Sequence, residues 1–192
     1  MRVSYYSRPE GENGFTLVEL MIVVAIVAII ATVAVPMFMR TVRRAKSAEV
    51  PAMFAAIQTS QEGYYSENGE YLTTGSVGTP FPDPPAESQR HPASPAGADT
   101  ATNISPIPDS WTALRIQSEK TALYCSYVTI SGGAGEDSRI GSKGNDFGFL
   151  TAPEKDWYYV LAECDFDNDS ATNSHYFTSS ELDTTLKENE GR

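Results

Sequence analysis

Residues 13–36 read NGFTLVELMIVVAIVAIIATVAVP, and from Phe15 to Met39 the only polar or helix-disrupting residues are Thr16, Glu19, Thr32 and Pro36. At a rise of ~1.5 Å per residue, about 25 residues of helix cross a hydrocarbon core of ~30 Å. An ordinary secretory signal has a shorter apolar stretch, positive residues directly before it and an A-x-A-like site after it. Here the run is longer, no such site comes after it, and a cationic cluster of Arg40, Arg43, Arg44 and Lys46 stands behind it. Both flanks carry positive residues, so the positive-inside rule alone does not orient the helix.

Glu19 is the one charged side chain in this run. A carboxylate costs ~2.5–3.5 kcal/mol at mid-membrane and less near the interface, so it needs a partner or a shallow position. A cut between Gly14 and Phe15 would create an α-amino group four residues from Glu19. The amine and carboxylate would neutralise each other in a medium of low dielectric constant. Within one chain they share a helix face. Between chains, the amine of one subunit would meet Glu19 of its neighbour and set an axial stagger between helices.

A length of 192 residues suits one compact domain plus an appendage. The formal net charge is −11, and the leader's Arg2, Arg8, Glu10 and Glu12 cancel, so the rest of the chain carries the whole excess. That argues against nucleic-acid binding, which needs cationic surface to meet phosphates.

Proline removes a backbone donor and clashes with the preceding turn, so Pro36 and Pro51 are expected to bend or locally open a helix. The segment Thr41 to Ser66 still reads as helix: Val50, Phe54, Ile57 and Tyr64 fall near one face, with Met53 and Gln61 adjoining. A helix from Phe15 to about Ser66 would be ~78 Å long. Its first half is apolar all round. Its second half is amphipathic and needs a sheet to cover it.

Eight of the twelve prolines fall between Gly69 and Ser110, which makes regular structure improbable there. Residues 72–110 read as a long surface loop with extended pieces. Beyond it lie four runs rich in aromatic and β-branched residues, at 111–117, 122–130, 157–164 and 174–179. They predict four antiparallel strands with one face against the helix. Residues 131–146 read as a glycine-rich connection. The segments are therefore a leader 1–14, an apolar helix 15–39, an amphipathic helix 40–68, a Pro-rich loop 69–110 and a sheet domain 111–192.

The stretch GFTLVELMIVVAIVAIIATVAVP closely resembles the N-terminus of type IV pilins and of type II secretion pseudopilins, over residues 14 to about 50. The resemblance implies an α+β pilin fold: a long N-terminal hydrophobic helix packed by its C-terminal half on a four-stranded antiparallel sheet. It implies cleavage after Gly14 by a membrane-embedded prepilin peptidase and N-methylation of Phe15. It also implies that Glu19 supports docking of subunits into a helical filament and that Pro36 is the family's helix-breaking proline. Many members have a glycine where this chain has Ala28, which favours helix, so the extent of melting before Pro36 stays open. The implied partners are further copies of the chain, the peptidase, inner-membrane pilus assembly machinery and minor pilins. The implied location is a single inner-membrane span before assembly, then an extracellular pilus serving adhesion or twitching motility. A pseudopilin building a short periplasmic piston is the alternative, and a membrane-anchored periplasmic binding module is a different class.

An exported domain favours a Cys125–Cys164 bridge, since oxidising compartments favour disulfides; two buried free thiols are the other reading. Asp165, Asp167 and Asp169 alternate in CDFDNDSATN. They leave two alternatives, a calcium site and a solvated acidic turn. The EF-hand pattern is not met, because Ser170 and Tyr176 stand where its glycine and glutamate belong. His91 and His175 have no spaced partners for zinc or a triad. No catalytic constellation stands out, and the expectation is a structural protein with no cofactor other than calcium.

Overall fold

In the computed structural model, the described residues are 14–82, 102–103, 107–116, 122–166, 173–182 and 184–189. The chain divides into two successive units, Met1–Met39 and Arg40–Arg192.

Among its described residues, the first unit is almost entirely helix. Helix α1 (Leu17–Ser47) starts in it and runs through Pro36 without a break in its assignment. From Phe15 to Met39, seventeen large apolar side chains are exposed, Phe15 by 76% and Leu17 by 74%. Burying a Val, Leu or Ile side chain is worth ~1.5–3 kcal/mol, so together these side chains offer roughly 25 kcal/mol or more. That exceeds the whole net stability of an ordinary domain, ~5–15 kcal/mol. The segment therefore belongs in lipid or against other apolar helices, and it is long and apolar enough to cross a membrane.

The second unit begins with the end of α1 and continues into α2 (Glu49–Asn68), with Ala48 between them still in the right-handed helical region. The interruption falls here, and Pro51 explains it. In an unbroken helix its N–H would bond the carbonyl of Ser47; proline lacks that donor and crowds that carbonyl. Counted from Glu49, Pro51 instead sits in the first turn of α2, where a missing N–H costs nothing. The expected opening is thus at Pro51 and not at Pro36. Gly69, at φ 76°, closes α2, donating its N–H to the Tyr65 carbonyl. Only glycine adopts that conformation without strain. Val50, Met53, Phe54, Ile57 and Gln61 form the buried stripe of α2, at the i, i+3, i+4, i+7 spacing of a helix that faces a core.

Two-residue strands β1 (Thr102–Asn103) and β2 (Ala122–Leu123) pair antiparallel. Between them lies the short helix α3 (Asp109–Ala113). The main sheet consists of β3 (Cys125–Gly132), β4 (Trp157–Cys164), β5 (Ser174–Ser179) and β6 (Leu186–Glu188), antiparallel and in that order. The expected strands at 157–164 and 174–179 are present, while the run expected as one strand at 122–130 is divided at Tyr124 between β2, which pairs with β1, and β3 of the main sheet. The expected strand at 111–117 is not one. Pro108 and Asp109 start α3 there, Trp111 is buried against Phe81 at 5.1 Å, and Arg115 at φ 54° breaks any extended run. The fourth strand is β6, whose sequence Leu-Lys-Glu has no β-branched or aromatic residue and so carries no propensity signal.

Both faces of the sheet are covered, which is why β3 and β4 are buried at nearly every position instead of alternating. On one face, Tyr127, Tyr158, Val160 and Ala162 pack with Val50, Phe54 and Ile57 of α2. On the other, Val128, Ile130, Trp157, Tyr159, Leu161 and Phe177 pack with Ile140 and Phe149. The segment expected to be a glycine-rich connection contributes to that second layer, with a 3₁₀ turn at Asp137–Arg139 and helix α4 (Gly141–Asp146). Gly132 permits the close β3–β4 approach there, since a Cβ on it would lie 2.5 Å from Trp157 Cζ2.

Candidate functional site

The Gly14–Phe15 bond lies just outside α1, in exposed non-helical backbone. Thr16 is the cap of the helix. The Glu19 N–H donates to Thr16 Oγ1 at 3.2 Å, and Thr16 Oγ1 donates to Glu19 Oε2 at 3.4 Å. The Leu20 N–H donates to the Thr16 carbonyl at 3.2 Å. The sequence Thr-Leu-Val-Glu is thus a helix-start signature of the T-x-x-E kind. That role of Thr16 is legible in the sequence but overshadowed there by the hydropathy of the apolar run behind it. The cap answers how the apolar run tolerates Glu19. The carboxylate sits in the first turn, tethered to the Thr16 hydroxyl, where the helix dipole favours negative charge. A cation approaching the end of the helix from outside meets Glu19 directly, because that side chain is exposed.

A second carboxylate does different work where the helix meets the sheet. Glu49 is 5% exposed. Its Oε1 accepts the N–H groups of Tyr124 at 3.0 Å and Cys125 at 3.3 Å, and the Tyr127 hydroxyl at 3.1 Å. Burial first, and the Glu49 charge second, push the Tyr127 hydroxyl well above its ordinary pKa and keep it a donor. Lys46, one turn earlier, lies with its Nζ 5.5 Å from the centre of the Tyr124 ring.

These contacts belong to a larger arrangement along the open edge of β3. The outward N–H groups of residues 125, 127, 129 and 131 are taken by Glu49, the Phe81 carbonyl, Thr74 Oγ1 and Thr73 Oγ1 respectively. An exposed strand edge invites pairing with another chain, and here residues 73–81 and Glu49 cover it. Glu49→Ala is expected to destabilise the second unit by about 3–5 kcal/mol, because it strands two backbone donors and one hydroxyl in the interior. Glu49→Gln, which keeps an acceptor, should cost clearly less in the same chemical-denaturation measurement. Equal losses for the two variants would contradict this account.

Cys125 and Cys164 form a disulfide, and they are direct register partners of β3 and β4 with Cα atoms 4.4 Å apart. That spacing is typical of a non-hydrogen-bonded antiparallel pair. Cys125 accordingly turns its N–H away from Cys164, toward Glu49. Among the other residues singled out by sequence, Pro36 lies inside α1. Asp165 is buried at the end of β4. Asp167, Asp169 and His91 lie outside the described residues. His175 stands on β5 between cross-strand neighbours, its Nε2 3.5 Å from Glu163 of β4 and its Nδ1 3.8 Å from Glu188 of β6. Among the described residues, no group of three or more His, Cys, Asp or Glu side chains is placed to hold a metal ion.

An apolar helix with a capped carboxylate at its tip, leading into an amphipathic helix packed on a four-stranded antiparallel sheet, defines a pilin-fold protein. The family described as the prokaryotic N-terminal methylation motif matches residues 11–35. The type IV major pilin protein PilA of Myxococcus xanthus (strain DK1622) is 42% identical over 71 residues, which are 37% of this chain and 31% of that protein. The match thus spans less than a third of the relative's length. No solved structure matches. Over its N-terminal part the chain is similar to type IV pilins.

Proposed function

We propose that this chain is a structural subunit of a type IV pilus. The observation that carries the reading is the junction at residues 14–19: an exposed Gly14–Phe15 bond directly before a Thr16-capped helix whose one carboxylate, Glu19, heads an apolar segment exposed all round. A prepilin peptidase cuts after Gly14 and methylates the new Phe15 amine. The processed subunit waits in the inner membrane with Phe15–Met39 in lipid. Assembly machinery and minor pilins then gather the apolar helices into a filament core, where each Phe15 amine meets Glu19 of a neighbour. The filament reaches the cell surface and, by extension and retraction, serves adhesion or twitching motility. The relative in Myxococcus xanthus is described as a major pilin, which favours a pilus over a secretion piston.

The test is mass spectrometry of filaments sheared from cells. The expected result is a dominant species beginning at Phe15, one methyl heavier at its amine, with Cys125 joined to Cys164. The same species, correctly processed but scarce in the sheared fraction, would make the chain a minor pilin or a type II secretion pseudopilin. A chain still beginning before Phe15 would overturn the reading.

A further inference from the structure

The stretch QEGYYSENGEYL, residues 61–72, brings two phenols together across the end of α2. Tyr65 lies in the last turn of the helix, and Tyr71 follows the turn at Gly69. Their rings stack, with centroids 4.5 Å apart and planes inclined by 27°, and both residues are half-buried. The backbone beside each ring is fixed. The Tyr65 carbonyl accepts the Gly69 N–H at 2.8 Å, and the Tyr71 carbonyl accepts the Ser131 hydroxyl at 2.8 Å. Leu72, the next residue, is clasped by Gln61, whose side chain accepts its N–H at 3.0 Å and donates to its carbonyl at 2.6 Å. The Tyr71 hydroxyl donates to Glu62 Oε1 at 3.1 Å. Stacked rings by themselves are ordinary packing. Two stacked phenols within reach of solvent, one of them bonded to a carboxylate, are in addition arranged for a reaction.

We propose that Tyr65 and Tyr71 are a modification site, at which a one-electron oxidant driven by peroxide joins the two rings through a carbon–carbon bond. Each phenol gives up one electron and one proton. The Tyr71 proton passes to Glu62, which lies within the ~2.6–3.2 Å that such a transfer needs. The Tyr65 proton passes to water. The peroxide takes up the two electrons and two protons and becomes two water molecules. The two phenoxyl radicals pair their electrons in a bond between ring carbons ortho to the hydroxyls. The hydrogens on those carbons then move to the oxygens and restore both phenols, so the chain ends two hydrogen atoms lighter. Glu62 matters because burial first, and its own charge second, push the Tyr71 hydroxyl up to about 12. In neutral water Tyr71 is therefore a phenol, and its proton must leave with the electron. The stack supplies the proximity. Tyr158 also touches Tyr71, with centroids 4.7 Å apart, but it meets that ring edge-on at 62° and is only 2% exposed. The bond would fasten the end of α2 to the segment whose Thr73 and Thr74 cover the edge of β3. The inference does not depend on the filament reading.

The test treats the purified full-length chain with hydrogen peroxide and a haem peroxidase, then maps the monomeric product by peptide mass spectrometry. Cleavage after Glu67 or Glu70 separates the two tyrosines unless the bond is present. The expected product is a monomer two hydrogen atoms lighter, with the fluorescence of a biphenol and its peptides joined through Tyr65 and Tyr71. Tyr65→Phe and Tyr71→Phe keep the rings but remove the phenols, and each should abolish this product. Tyr64→Phe should leave its yield unchanged. Glu62→Gln should slow its formation about tenfold or more, because the amide is a poor proton acceptor. Thermal unfolding of each untreated variant checks that the fold is unchanged. A bond through Tyr64, bonds formed only between two chains, or no bond at all would overturn the proposal. An undiminished rate in Glu62→Gln would overturn it too, since the carboxylate would then play no part and the stack would be packing alone.

Discussion

Glu19→Ala is expected to abolish surface filaments while leaving the subunit in the membrane and still cut after Gly14. Two roles of the carboxylate separate here. For insertion, Glu19 is only a cost: ~2.5–3.5 kcal/mol at mid-bilayer and less at the shallow position of a first helical turn. Alanine removes that cost, and the many apolar side chains from Phe15 to Met39 remain. In the proposed assembly, Glu19 is the counter-charge to a new amine that must leave water. An ammonium packed among apolar helices without its partner carries a desolvation penalty of several kcal/mol in every subunit of a polymer. The sheared fraction should therefore fall by two orders of magnitude or more, since each ~1.4 kcal/mol is tenfold in an equilibrium constant. Thr16→Ala should show a milder form of the same defect, because it removes the cap at a typical cost of ~1 kcal/mol and leaves the charge. Immunoblots of membrane and sheared fractions give both numbers. Undiminished filaments from Glu19→Ala would mean that the carboxylate is incidental.

Replacing Cys125 and Cys164 together with alanine is expected to destabilise the second unit by ~4 kcal/mol in the loop-entropy account, for a bridge closing about 40 residues and joining positions 39 apart in sequence. In a domain of this size that lowers the thermal midpoint by about 10 °C or more. Alanine is the informative choice, since both sulfurs are fully buried and serine would add buried hydroxyls. Reduction of the unaltered chain should produce a comparable shift. The register of β3 on β4 should survive, because eight consecutive pairs from Cys125↔Cys164 to Gly132↔Trp157 hold it. The bridge acts mainly by restricting the unfolded chain. A loss below about 1 kcal/mol by thermal or denaturant unfolding would show that the hairpin stays closed in the unfolded state without it.

Where the sequence was legible, one period or one extreme of composition dominated. The apolar segment 15–39 could be read because nearly every residue in it says the same thing, and helix and lipid both favour that reading. The amphipathic stripe of α2 was legible at Val50, Phe54 and Ile57 because a helix facing a core repeats every three to four residues. Strands β4 and β5 were legible because aromatic and β-branched residues fill them from end to end. The disulfide was expected from two cysteines and the compartment that the N-terminus implied, while their positions as direct register partners were not.

Tertiary structure decided the rest, and each time through contacts between residues far apart in sequence. The run 111–117 has strand-like residues, yet a local proline-aspartate start and the burial of Trp111 against Phe81 make it helix. Strand β6 has no propensity of its own and exists because the edge of β5 is open to it. The segment after β3 looks like a flexible glycine-rich link, but Ile140 and Phe149 turn it into a second covering layer. Glu49 reads as one more charge on a helix surface. Only the folded chain, by bringing Cys125 and Tyr127 within 3.3 Å of it, makes it the acceptor that closes a sheet edge. By itself the sequence determined where this protein is apolar, where it is helical and where its N-terminal carboxylate stands, because those are properties of neighbours along the chain. Which strands complete the sheet, what covers its two faces and which polar groups satisfy its edge were settled by the fold, because backbone donors and apolar faces are matched across space and not along the chain.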